Sequence, residues 1–233
     1  MKVRALGVAA VVAAAGLAPR PAEAFWLLNF QTAPTLPAGG VGFIGGTGAQ
    51  LTRVGEPGST SFTPYLAHFG LRVGLADFLD VGYRLCTVPL PYSSAGPTLG
   101  AELDVKARLT PASWTWQAAL VAGVGDAWLE LGGASRSAWS PGVDLVVSRA
   151  LGESVQLALN GRYVFTAIPT AAGGAEANDV TAAGGSAMLR FAVSPVVAVQ
   201  VELGAFDFLG ALGGKETNGW GLQAGVVFAA RLR

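Results

Sequence analysis

Apolar and polar residues alternate along most of the chain. The clearest run is Thr98 to Leu109. Leu99, Ala101, Leu103, Val105, Ala107 and Leu109 share one parity; Gly100, Glu102, Asp104, Lys106 and Arg108 share the other. A side-chain period of two is that of a β-strand with one apolar and one strongly polar face. A helix would scatter the same charges around its circumference. The split recurs at about 40–51, 65–73, 79–86, 116–124, 143–147, 155–165, 183–191, 197–205 and 220–232, which predicts ten strands. Short turns are expected near 75–78, 110–114, 149–153 and 193–196. Longer Gly/Pro/Ser-rich loops are expected near 53–61, 88–97, 126–139, 167–179 and 210–218.

Short turns at one end and long loops at the other fit a transmembrane barrel of up-and-down antiparallel strands. The alternating segments run about 10–13 residues, and a tilted membrane strand needs about 9–11. Aromatic residues gather near segment ends. Trp114, Trp116 and Phe191 lie towards the turns; Tyr92, Trp128, Trp139, Phe165 and Trp220 lie towards the loops. Two such girdles are expected at the two membrane interfaces. The fold class is therefore all-β: a single up-and-down antiparallel transmembrane β-barrel of about ten strands, with eight or twelve as alternatives. Lipid cannot satisfy the amides of an edge strand, so the sheet must close. An even strand count puts both ends of the chain on the short-turn side.

Composition narrows the picture. Hydrophobic residues make up 52% of the 233 and charged residues 13%, against a usual charged fraction of roughly 25%. So few charges cannot solvate the outer wall of a soluble barrel. The mean hydropathy of +0.48 excludes a disordered chain. The one long apolar run, Ala5 to Ala18, is too short for a membrane helix. With Lys2 and Arg4 before it and Ala22-Glu23-Ala24 after it, it reads as a cleaved secretory signal over residues 1–24. Cleavage would leave 12 basic and 14 acidic residues, a balance that points to no nucleic-acid partner. Residues 25–39 are assigned to a periplasmic N-terminal segment and 40–233 to the barrel. Phe25, Trp26, Leu27, Leu28 and Phe30 open that segment, either in the periplasmic interface or as an extra strand piece.

The stretch Gly70-Leu71-Arg72-Val73-Gly74-Leu75-Ala76-Asp77-Phe78-Leu79-Asp80-Val81-Gly82-Tyr83-Arg84 resembles the strand-turn-strand hairpin of Gram-negative outer-membrane β-barrel proteins. Gln31-Thr32-Ala33-Pro34-Thr35-Leu36-Pro37-Ala38-Gly39-Gly40 resembles the opening of some poorly characterised small barrels of that kind. The resemblance implies an outer-membrane location, contact with outer-membrane lipid and insertion by the barrel-assembly machinery. Such barrels usually end in an aromatic residue; here the last aromatic is Phe228, and the chain closes Ala230-Arg231-Leu232-Arg233.

Parity assigns the charged lining of the lumen to Arg72, Asp80, Arg84, Glu102, Asp104, Lys106, Arg108, Asp144, Arg162, Arg190, Glu202 and Arg231. In a narrow lumen these charges should pair, since an unpaired buried charge costs several kcal/mol. Inward glycines, among them Gly70, Gly74, Gly82 and Gly204, leave room for a small polar solute. The expected function is a non-enzymatic barrel, either a narrow solute channel or a filled scaffold with a charged lumen. A structural or adhesive module acting through loops 126–139 and 167–179 is one alternative, and a barrel enzyme using His68 is another. No catalytic, metal or cofactor site is expected. His68 is the sole histidine and Cys86 the sole cysteine, which leaves no metal-ligand spacing and no disulfide. Gly40-Val41-Gly42-Phe43-Ile44-Gly45 matches G-x-G-x-x-G but is followed by no helix pattern. Gly213-Gly214-Lys215 lacks the first P-loop glycine, with Leu209 in its place, and Glu216 stands where Ser or Thr belongs.

Overall fold

The computed structural model describes residues 28–54, 60–88, 98–131, 134–167, 179–212, 215–216 and 218–232. The signal peptide, its cleavage site, Phe25 to Leu27, Tyr92 and the loop 168–178 lie outside the described residues. The strands are β1 (Val41–Val54), β2 (Thr60–Ala76), β3 (Leu79–Val88), β4 (Thr98–Arg108), β5 (Trp116–Leu131) and β6 (Ala134–Ala150). They continue with β7 (Val155–Ala167), β8 (Asp179–Ala192), β9 (Val197–Leu212), β10 (Lys215–Glu216) and β11 (Gly219–Leu232). Each pairs antiparallel with its neighbours. β11 closes the circle on β1, in unbroken register from Val41 opposite Leu232 to Val54 opposite Gly219. The two-residue β10 pairs antiparallel with the last residues of β9, on the side where β11 follows, so the wall is a closed barrel of ten strands.

Alternation decides which way each side chain points. Leu103, Leu120, Leu145, Tyr163, Leu203 and Phe228 face outward and are exposed, while Asp104, Asp144, Arg162 and Glu202 face inward and are buried. An apolar outer wall around a charged interior is stable in lipid and not in water. Trp114 and Trp116 stand at the turn end, where the Arg149 guanidinium lies 5.7 Å from the Trp116 ring centre. Trp139 and Trp220 stand near the opposite rim. A closed barrel predicts heat-modifiable gel mobility: unboiled protein in mild detergent should migrate ahead of boiled protein. Identical mobility would contradict closure.

Two details depart from the sequence pattern. The span 126–139, expected to be a loop, is mostly strand, because β5 runs to Leu131 and β6 resumes at Ala134. β9 likewise extends to Leu212, into the expected loop at 210–218. Both hairpins outrun the ~9–11 residues needed to cross the membrane, and their Gly, Ser and Pro content hid the ladder.

The larger departure is at the N-terminal end. Residues 25–39 were expected outside the barrel. Their described part enters it: Leu28, Asn29, Phe30, Gln31, Ala33, Thr35 and Leu36 are all buried. Pro37, Ala38 and Gly39 emerge at the turn end. Gly39 takes a positive φ of 76°, which a side chain would resist, and reverses the chain into β1.

Candidate functional site

The site is the filled lumen. The inserted segment, residues 28–36, has no strand partner, so its backbone polar groups need other ones. Side chains of the wall supply them. At the turn end the Leu36 amide donates to Asp80 Oδ2 (3.1 Å) and the Thr35 hydroxyl to the Asp77 carbonyl (2.5 Å). Lys106 Nζ donates to the carbonyls of Thr32 (3.2 Å) and Pro34 (3.0 Å). The Ala33 amide donates to Ser148 Oγ (3.1 Å). Deeper in, the Phe30 amide donates to Glu202 Oε2 (2.6 Å) and the Leu28 amide to Gln223 Oε1 (3.1 Å). Arg84 Nη1 donates to the Leu28 carbonyl (3.0 Å). These partners come from β3, β4, β6, β9 and β11, and Asp77 from the turn before β3. The segment is thus held from several sides of the barrel by wall side chains, and at the turn by the Asp77 carbonyl.

Two ion-pair clusters lie around it. In the first, Arg72 bridges Asp80 and Asp104, and Lys106 stands 3.4 Å from Asp80. In the second, Arg84 and Arg162 converge on one oxygen of Glu102, each at 2.5 Å, and Arg162 stands 3.4 Å from Asp144. The register explains the gathering. Asp80 opposes Lys106 and Arg84 opposes Glu102 between β3 and β4, and Asp144 opposes Arg162 between β6 and β7. Cross-strand neighbours of opposite sign on one face are within reach of each other.

Glu202 belongs to neither cluster. It is fully buried and, among the described residues, meets no cation. Its carboxylate accepts from the Phe30 amide, Ser186 Oγ and Asn160 Nδ2 instead. Phe30 is held there at φ 51°, a left-handed conformation that costs a bulky residue about 1–3 kcal/mol. Its ring packs edge-on against His68, with centroids 5.1 Å apart. His68 is itself buried.

Of the twelve lumen charges expected from parity, Arg72, Asp80, Arg84, Glu102, Asp104, Lys106, Asp144 and Arg162 are brought together in the two clusters. Arg108, Arg190 and Arg231 stand near the turn end and make no ion pair among the described residues; Arg231 is exposed. Complete pairing therefore does not occur. The residues that alternation did not single out are the inserted segment and Ser148; it put Gln223 on the polar face of its strand but gave it no role. Phe206 and Phe208 also point inward, and with Val164, Val180, Ala182, Met188, Leu28 and Phe30 they form an apolar layer inside the lumen. Their parity with Glu202 was the available signal. Cys86 packs against this layer. Among the described residues no group of three or more His, Cys, Asp or Glu side chains could share a metal ion.

The fold is similar to outer-membrane β-barrels. The outer membrane protease OmpT from Escherichia coli is 12% identical, with a TM-score of 0.49 over 86% of this chain and 100% of its own. An outer membrane channel from Pseudomonas putida is 15% identical, with a TM-score of 0.48 over 88% of this chain and 100% of its own. The NanC porin is 13% identical, with a TM-score of 0.40 over 82% of this chain and 98% of its own. No protein-family model matches the sequence, and the search of curated proteins returned no match. No residue role passes from these barrels to this chain.

Proposed function

We propose that this protein is a non-enzymatic outer-membrane barrel providing a narrow, gated pathway for small polar solutes, closed at rest by its own residues 28–36. The observation that carries this reading is how the lumen is filled. Small barrels are generally filled by the side chains of their walls. Here part of the lumen is occupied by a separable piece of chain, held by side-chain hydrogen bonds worth about 0.5–1.5 kcal/mol each, or about 1.5–3 kcal/mol where the partner is charged. The wall is cut back where that piece passes. Gly42 lies against Leu36, with 3.4 Å left for an added Cβ, and Gly204 lies against Leu28 with 2.9 Å. A segment that leaves as a unit uncovers the charged clusters, and lumen charge and width then select the solute.

Planar-bilayer recording of refolded protein tests this. The full chain is expected to stay closed, and a variant lacking residues 28–36 to conduct steadily with a mild preference for anions. That preference follows from seven inward cationic positions against five anionic ones. Silence of both proteins, or a cation preference, would refute the pathway. Silence of both would favour the filled scaffold, which the apolar layer around Phe206 and Phe208 supports. His68, buried against Phe30, supports a packing role over catalysis.

A further inference from the structure

Between the inserted segment and the wall lies a cavity of about 130 Å³ that reaches the turn-end rim at Val196 and Arg231. Six charged side chains line it. Arg72, Arg84, Lys106, Arg190 and Arg231 are cationic, and Asp104 alone is anionic. Asp104 is already bound by Arg72, Arg84 by Glu102, and Lys106 lies 3.4 Å from Asp80. Arg190 and Arg231 make no ion pair among the described residues. Glu153 borders a neighbouring turn-end cavity with Arg190 and makes no ion pair among the described residues. Gln200 adds a buried polar atom without a partner. It lines the same cavity, is only 5% exposed, and its Oε1 has no hydrogen-bond partner. It stands directly opposite Arg190 in the β8–β9 register.

We propose that this cavity binds a small solute bearing a carboxylate or a phosphate, its charged oxygens held by Arg190 and Arg231 and a hydroxyl of the same solute donating to Gln200 Oε1. Two guanidiniums on one cavity repel each other when empty and are satisfied together by one anion. Guanidinium forks match the paired oxygens of carboxylate and phosphate. The unpartnered Gln200 Oε1 is an acceptor, and it takes the O–H that a singly or doubly charged phosphate, or a hydroxy acid, carries beside its charged oxygens. The volume exceeds the ~10–15 Å³ of accessible space that one water requires, so a hydrated oxyanion fits. The cavity lies on the turn side of the apolar layer, and the site is therefore open while residues 28–36 remain in place. The assignment deepens the solute-pathway reading and rests on it for the biological use of the anion. Binding to the closed barrel and conductance of the opened one are separate measurements, so either can fail alone.

The test is calorimetric titration of the refolded full chain with inorganic phosphate and, separately, acetate at constant ionic strength. Saturable binding at one site is expected. The double variant Arg190→Gln with Arg231→Gln should weaken it at least about tenfold, the factor that ~1.4 kcal/mol carries. Gln200→Leu should weaken phosphate, which keeps an O–H at neutral pH, severalfold and leave acetate, which has none, unchanged. Heat-modifiable mobility checks that each variant folds. If the double variant does not fold, Arg231→Gln at the exposed rim is used alone. A second arm assays phospholipid phosphorus retained through purification. Retention that is stoichiometric and lost in the same variants would identify a lipid headgroup as the source; phosphate titration without it would identify a free solute. No saturable binding and no retained lipid, or binding unchanged in the arginine variants, would overturn the site.

Discussion

Replacing Glu102 by alanine is expected to destabilise the folded barrel by about 3–5 kcal/mol, the usual cost of removing one partner from a buried ion pair. Arg84 and Arg162 both end on the same Glu102 oxygen. Without it, among the described residues Arg84 keeps only the Leu28 carbonyl, and Arg162 keeps only Asp144 at 3.4 Å. Two like charges are then left facing each other in a space with little water to screen them. Urea titration of protein refolded into vesicles, followed by tryptophan fluorescence and by heat-modifiable mobility, measures the loss. The double variant Glu102→Ala with Arg162→Met should recover part of the stability, because the second change removes a stranded cation. A shift below about 1 kcal/mol in the single variant would mean that water, not Glu102, solvates these arginines.

The second large effect is expected from Gly74→Val, and it acts on closure. Gly74 is the wall residue against which the inserted segment turns. Its amide donates to the Gly40 carbonyl and its carbonyl accepts from the Gly39 amide, both at 2.9 Å. A Cβ at this position would run into the Pro37 carbonyl oxygen and lie 2.8 Å from that of Leu36. Both obstacles are backbone, so the chain itself must move. The barrel ladder does not depend on residues 28–36, so heat-modifiable mobility should persist while the segment is displaced. Cys86 reports the displacement, because it packs against the apolar layer that Leu28 and Phe30 complete. Its labelling by a membrane-impermeant maleimide should quicken by about tenfold or more, equivalent to at least ~1.4 kcal/mol of opening free energy. Bilayer conductance should rise with it. Labelling at the wild-type rate in a folded variant would show that the segment tolerates the clash and is not seated as described.

How much of this was legible in the sequence depended on periodicity. Leu103, Asp104, Val105 and Lys106 declare their two faces without help, because a strand leaves no other way to separate them. The same parity put Arg72, Arg84, Asp104 and Arg162 inside before their partners were known. It did not choose the partners. Arg162 reaches Glu102 from β7 to β4, across the barrel rather than across a strand pair, and only closure brings those strands face to face. Nor did it leave Glu202 without a cation; that follows from where the Phe30 amide arrives. Residues 28–36 carry no alternation, since a chain segment surrounded on all sides has no outward face to mark.

The sequence by itself determined a closed barrel of about ten antiparallel strands with an apolar outside and a charged inside. That information is local: each strand's pattern is written in adjacent residues, and lipid admits one way of using it. Only the tertiary structure decided what fills the barrel. The lumen's content is set by contacts between residues as far apart as Leu28 and Gln223. Side chains from five strands must converge before the backbone of the inserted segment has partners. Such convergence leaves no period in a sequence, because it depends on how the sheet curls and not on the order of residues along any one strand.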